Sequence, residues 1–490
     1  MKIIINKLTP FKFIIKLSLT LSLFLFSTFY HSAIADEKTA DEKIFSAEVL
    51  AQAKQLRDVA LEDNTGYQIT ESLTTEVGQR MAGSKANDLA VKWAQKKLKS
   101  LGFDRVTLEP VSYPTWIRTS ESASIISPFP QKMMLTALGF SVGTSKRGVQ
   151  AKVIQFNHLS DLELITDNRV KGKIVFISER MQRFRDGHGY GKTVRGRTAG
   201  ASIAASKGAV GLLIRSVGTD NNRTPHTGVM HYQEGIKKIP AAALSNPDAD
   251  LLLRELKKSK NVVVNMNLQV RMGPNKKSYN VVADMLGSSK PDEIVAIGGH
   301  LDSWDLATGA IDDGAGVGIT TAAAYLIGHL AKRPARTIRV VLFANEETGL
   351  WGGKAYANRH FKEINKHIIA GESDFGAGPI YQLDAAVKPA AWPAIEAMAK
   401  VLKPIGIKLG EKKAEGGPDY SPFHAKGLAV FDLKQDGTKY FDWHHTSNDT
   451  FDKIDPKEMA QNVAAYAVVV YLSAQYDGDF GSPLPLTKKP

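Results

Sequence analysis

The chain has 490 residues and no cysteine, which excludes disulfides, thiolate metal sites and a cysteine nucleophile. Its length predicts two domains rather than one core. With 43% hydrophobic and 23% charged residues, and a formal charge of +13 spread along the chain rather than gathered in a tract, it reads as a soluble globular protein with no nucleic-acid partner.

Residues 1–16 carry Lys2, Lys7, Lys12 and Lys16 without an acid, 17–30 are apolar or hydroxylated, and Ala33-Ile34-Ala35 follows as a small-x-small site. This pattern predicts a signal peptide over 1–35, a mature chain from Asp36 and a secreted or periplasmic location. The apolar run falls short of the roughly 20 residues that span a bilayer, so no stable membrane insertion is expected after cleavage. From 36 to about 101 the pattern is helical: Leu89, Val91, Trp93, Leu98 and Leu101 recur at near-helical spacing, and Gly102 stands where a helix ends. Segments rich in β-branched residues follow at 106–111, 153–156, 173–177, 210–214 and 262–270, separated by Gly, Pro, Asn and Asp. The block 118–275 thus reads as a β-rich module with a helix near 197–207.

Residues 279–283 and 293–297 read as a hairpin. The chain then alternates: helix 319–330, strand 337–343, short strand 368–370, helix 393–402, strand 428–433 and a long closing helix 456–476. The fold class predicted is α/β, a mixed sheet with helices on both faces. Residues 481–490, rich in Pro and Lys, read as a loose tail.

Ligands of open α/β sheets gather at the carboxyl ends of the strands. The strand at 293–297 leads to His300 and Asp302, that at 337–343 to Asn345-Glu346-Glu347, that at 368–370 to Glu372-Ser373-Asp374, and the last to Trp443-His444-His445-Thr446. Asp312 and Asp313 precede a glycine-rich helix start, where a carboxylate is favoured. A single carboxylate there can bridge two cations. Two His, a bridging Asp, one Asp and one Glu bring three negative charges against two divalent ions, which leaves a hydroxide to complete neutrality. Nitrogen and oxygen donors without sulfur point to zinc, with cobalt or manganese as substitutes in vitro. Of the adjacent Glu346 and Glu347, one can bind metal while the other faces the water.

The series Gly299-His300-Leu301-Asp302, Asp312-Asp313-Gly314, Asn345-Glu346-Glu347, Glu372-Ser373-Asp374 and His445-Thr446 with Asp449-Thr450 resembles the co-catalytic zinc peptidases of family M28. Thr224-Pro225-His226-Thr227-Gly228, Tyr232-Gln233, Gly235 and Lys238-Ile239-Pro240 extend the resemblance to the carboxypeptidase Q group within it. That resemblance implies a peptidase domain over 36–117 and 276–480, with a protease-associated domain inserted at 118–275. It implies two zinc ions, one held by His300 and Asp374, the other by Glu347 and His445, with Asp312 bridging. Glu346 would be the general base, Asp302 would orient His300, and the Asp312–Asp313 peptide would be cis. It further implies small peptide substrates, dipeptides in particular, and a homodimer. Asn345 departs from the family, which more often has a small residue there.

His444 competes with His445 for the ligand role, and the position directly before Thr446 favours His445. Asp313 reads as a turn residue, Asp449 as support for the loop of His445, and Asp419 either as rim support or as the cap of the helix after it. Residues 186–193 nearly spell a phosphate-binding loop, but Asp186 stands where Gly is required. His329, His360 and His367 read as surface or packing residues. No residue decides which peptide terminus is bound, so aminopeptidase, carboxypeptidase and dipeptidase action stay open. Two other classes share the architecture: a metal-free receptor, expected to lack ligands that this chain keeps, and a single-zinc glutaminyl-cyclase-like transferase.

Overall fold

The computed structural model describes residues 41–481; the expected signal peptide and the tail beyond 481 lie outside them. Three helices open the described chain, Ala47–Glu62, Thr65–Glu76 and Lys85–Ser100. Ser46 and Ser84 start the first and third by accepting the N–H groups of Val49 and Asn87, which the helices cannot satisfy themselves. Gly102, at φ +76°, ends the third.

The first sheet has eight strands in the order Arg105–Tyr113, Lys276–Met285, Arg336–Phe343, Lys290–His300, His367–Glu372, Val430–Gln435, Ile380–Ala386 and Lys408–Leu409. The four from Arg336–Phe343 to Val430–Gln435 run parallel, and antiparallel strands flank them. Alternate residues feed two cores. Val281, Ala283, Val295, Ile297, Val340 and Leu342 pack with helices Ala315–Gly328 and Pro456–Gln475 on one face. Val282, Ile294, Ala296, Val341 and Phe343 pack on the other with Tyr356 and Phe423, from helices Trp351–His360 and Ser421–His424. The expected mixed sheet with helices on both faces is therefore what forms.

The expected hairpin does not form. Lys276–Met285 and Lys290–His300 are neighbours in sequence, yet Arg336–Phe343 lies between them, antiparallel to the first and parallel to the second. Apart from Arg339, which pairs with Asp284, the run Ile338–Phe343 is apolar and buried on both faces, and a strand of that kind takes a central place.

A second eight-stranded sheet occupies the segment between Trp116 and Met272. Its order is Gln131–Met133, Trp116–Ser127, Val263–Met272, Val149–Phe156, Ile174–Ile177, Gly211–Arg215, Ala241–Leu244 and Leu135–Ala137. Helix Arg195–Ser206 packs against this sheet through Ala201 and Ala204, while Asn246–Lys258 contributes Ala249 and Leu252 to a separate core. Among the described residues no helix is long and apolar enough to cross a membrane.

Candidate active site

The parallel strands of the first sheet end side by side. His300 pairs with Phe343 in register, and Glu372 with Gly298, so the loops after all three strands leave from one edge. The segment Ala310–Gly314, with Asp312 and Asp313 in non-helical conformations and a cis peptide between them, enters the helix Ala315–Gly328 beside that edge. Gly316 is dictated by this approach: a Cβ there would stand 1.8 Å from the Ser373 carbonyl oxygen.

Asn345, Leu350 and His445 all adopt left-handed backbone, at φ 54°, 56° and 61°. Asn tolerates that conformation, and its Oδ1 accepts from both the N–H and the hydroxyl of Thr348, closing the turn that presents Glu346 and Glu347. The departure from the family pattern thus has a local structural use.

Five of the sequence-selected residues converge. His300 Nε2 lies 3.0 Å from Asp312 Oδ1 and 3.6 Å from Asp374 Oδ1. His445 Nε2 lies 3.2 Å from Asp312 Oδ2 and 3.0 Å from Glu347 Oε2. Asp312 is thereby shared between two groups, one on each of its oxygens. His444 is stacked on His445 with ring centroids 3.5 Å apart, but its Nε2 reaches only Asp312, at 3.6 Å. Glu346 is half-buried at the mouth of the same cleft, whose volume is about 460 Å³.

Asp302 is fully buried and links two of these groups. Its Oδ1 accepts the Glu346 N–H at 3.0 Å and lies 3.6 Å from His300 Nδ1, while its backbone carbonyl faces the same nitrogen at 3.1 Å. The residue therefore orients His300 mainly through its carbonyl and anchors the Glu346 backbone through its carboxylate. Asp313 ties the His300 N–H to that of Gly316. Asp449 accepts the N–H groups of Ala310 and Ile311, so it braces the segment that carries Asp312 rather than the loop of His445. Asp419 does not cap the helix that follows it; its Oδ1 accepts the Gly353 N–H of another helix, Trp351–His360.

The electrostatics are those of crowded buried acids. Burial pushes Glu346 and Glu347 well above the usual carboxylate range, reinforced by the neighbouring carboxylates, and Asp374 shifts the same way. Asp312 goes the other way: against its burial, the His300 and His445 imidazoles beside it hold it well below. Asp312 Oδ2 and Glu347 Oε1 are buried with no hydrogen-bond donor. Acceptors left bare at the centre of a His and carboxylate cluster are what divalent cations satisfy, and the donor set suits zinc. The groups His300, Asp312, Asp374 and Asp312, His444, His445 each hold ligand atoms within 4.8 Å of one another.

Three residues of the second-sheet segment border the site, two of them lining the cleft. His226 is buried between Asp220, 2.6 Å from its Nε2, and the His444 carbonyl, which accepts from Nδ1 at 2.7 Å. Tyr190 and Arg197 line the cleft beside Glu346 and His445. In the sequence His226 stands out only within a family motif, and neither Tyr190 nor Arg197 carries a signal; position in a helix-forming stretch does not reveal what a side chain faces.

A family model described as Peptidase family M28 matches residues 280–470. The crystal structure of a peptidase M28 precursor from Shewanella amazonensis SB2B is 53% identical, with a TM-score of 0.87 over 90% of this chain and 99% of that one. The chain belongs to peptidase family M28. Carboxypeptidase Q of Xenopus laevis resembles this M28 peptidase with 36% identity over 428 residues, 87% of this chain and 90% of the relative. A zinc aminopeptidase from Bacillus subtilis shares the fold at 20% identity, with a TM-score of 0.61 over 83% of this chain and 93% of that one.

Proposed function

We propose that this M28 peptidase is a dizinc exopeptidase that hydrolyses small peptides. The observation that carries the reading is Asp312, whose two oxygens face two separate His and carboxylate groups while one of them lacks any donor. His300 and Asp374 would hold one ion, Glu347 and His445 the other, with Asp312 between them. Bound there, zinc would supply a Lewis acid for the scissile carbonyl and a water of lowered pKa.

Glu346 takes the proton of the attacking water and returns it to the leaving amine. The Asp302 bond to its N–H holds it in position. Asp302 also keeps the Nδ1 proton of His300 engaged, which leaves Nε2 for the metal. The second sheet serves as the protease-associated module of the carboxypeptidase Q group, and a signal peptide over 1–35 directs the enzyme out of the cytoplasm. A homodimer follows from the same likeness.

The test is release of free amino acids from unblocked, N-blocked and C-blocked dipeptides by the zinc-loaded chain. Hydrolysis of unblocked dipeptides that stops on chelation and returns with zinc supports the reading. No hydrolysis of any of the three by the reconstituted protein would overturn it.

A further inference from the structure

A second cavity, of about 270 Å³, adjoins the cleft of Glu346, and Asp374, Phe375 and Pro418 border both. Its charge has one sign. Asp186, Glu372, Asp374, Glu415 and Asp432 line it, against the single cation Lys434. That lysine is paired with Asp432, 3.1 Å away, and the neighbouring Arg185, stacked on the ring of Tyr381, is paired with Asp436 at 2.9 Å. Asp186 lies 2.6 Å from the His188 ring, and Asp432 also accepts the N–H groups of Glu415 and Gly416. Asp374 belongs to the metal cluster. Glu372 and Glu415 are the two acids that no cation of the described residues answers.

Glu372 forms the inner wall. It is 6% exposed, its Oε2 accepts the Asp419 N–H at 2.7 Å, and its Oε1 is buried with no donor. A buried carboxylate oxygen in that state is unfavourable unless a ligand brings a donor. Gly417, which lines the cavity at φ +88°, is required for this seat: a Cβ there would stand 2.4 Å from Glu372 Cβ and 2.6 Å from its Oε2. Glu415 is exposed and stands at the open side.

The remaining wall is apolar, with Phe375, Tyr381, Pro418 and Leu433. A long cationic side chain has the same division, an aliphatic stem that favours apolar surface and a charged head that needs acceptors. An acidic side chain would meet only like charge, and an apolar one would leave Glu372 Oε1 without a donor. Glu346 lines the cleft but not this cavity. Because Glu346 protonates the leaving amine, the leaving residue lies on its side, and the residue that keeps the scissile carbonyl faces the cavity beyond Asp374. An α-ammonium is attached directly to Cα and needs no such space, whereas a lysine ammonium ends a flexible four-carbon stem.

Resting on the peptidase reading above, we propose that this cavity receives the side chain of a lysine or arginine that supplies the scissile carbonyl, so that the enzyme favours small peptides with a basic residue on the amino side of the cleaved bond. Glu372 and Glu415 are its specificity-determining residues.

The test compares lysyl-alanine, norleucyl-alanine and alanyl-lysine. The first two share a free α-amine and an unbranched stem and differ in side-chain charge; the third carries that charge on the leaving residue. With the zinc-loaded full chain, kcat/KM for lysyl-alanine exceeds both others by roughly 10–100-fold, the scale of one charge-assisted hydrogen bond. Glu372→Gln, which keeps an acceptor for the Asp419 N–H, brings the ratio of lysyl-alanine to norleucyl-alanine down toward unity, and Glu415→Gln, at an exposed position, lowers it part of the way. Calorimetry on the zinc-loaded Glu346→Gln chain gives a second readout: it binds lysyl-alanine more tightly than norleucyl-alanine, and adding Glu372→Gln removes the difference. If the wild type hydrolyses none of the three yet this binding preference is present, the peptidase reading fails while the cation site stands. Equal kcat/KM for lysyl-alanine and norleucyl-alanine in the wild type overturns the proposal, whether or not the variants fold, and leaves the peptidase reading in place. A preference for alanyl-lysine, or a lysyl preference that survives both substitutions, overturns it as well.

Discussion

Replacing His226 by Ala tests whether the second-sheet segment holds the metal loop in place. His226 is 1% exposed and Asp220 5%, and the imidazole joins that carboxylate to the His444 carbonyl through bonds of 2.6 and 2.7 Å. Alanine removes both bonds and leaves two buried acceptors facing a void, with Asp220 keeping only the Asn222 N–H. Each buried group left unsatisfied costs about 1–3 kcal/mol. A loss of about 3 kcal/mol is therefore expected. Because the freed carbonyl belongs to the residue before His445, which itself sits at φ 61°, zinc affinity should also fall by roughly 10–100-fold, the usual effect of removing a group that supports a ligand. Urea unfolding of the metal-free chain measures the first, and competition with a chelator the second. A cycle with Asp220→Ala should return a coupling of at least about 1 kcal/mol. Unchanged urea midpoint and unchanged zinc affinity in His226→Ala would refute the reasoning.

Glu346→Gln should retain zinc and lose about 10²–10⁴ in kcat, as expected for removal of a general acid–base group; normal turnover would remove Glu346 from the mechanism. His367 provides a pH prediction away from the metal cluster. Burial, outweighing its bond to the Glu363 carbonyl, pushes it down from 6.5 to about 3 in the folded chain. It is neutral when folded and gains a proton on unfolding below 6.5, so its contribution to stability is lost as pH falls from 6.5 toward 3. At pH 5 the loss is about 2 kcal/mol. His367→Gln should flatten the decline of urea stability between pH 7 and 5, and an unchanged slope would show that another group governs it.

How far the sequence carried the account differs between its parts. Six strands of the first sheet were legible because their apolar runs are bounded by Gly, Pro and polar turns, whereas Ile380–Ala386 and Lys408–Leu409 were not, and the candidate site was legible because the parallel runs end in groups capable of chemistry. Strand neighbours were not legible: alternation reports that 276–285 and 290–300 are strands, not that 336–343 inserts between them. In the second sheet Ala241–Leu244 escaped notice because Ala-Ala-Ala-Leu has no strand preference of its own; burial of all four residues overrides it. Trp116–Ser127 was hidden by its many Ser and Thr residues. The helix Asn246–Lys258 did carry a start signal, with Ser245 accepting the Asp248 N–H and Pro247 in the first turn. Asp302 was selected for orienting His300, but its bond to the Glu346 N–H depends on how two loops meet. For Arg197 there was no signal, since only the folded chain reveals that it lines the cleft.

The central claim is a dinuclear site with Asp312 common to both ions, and the direct measurement is zinc per chain by native mass spectrometry on the wild type and on Asp312→Ala. The account predicts two zinc ions in the wild type and neither retained at stoichiometric level in Asp312→Ala. A single ion in the wild type, or two ions held equally well by Asp312→Ala, would contradict it.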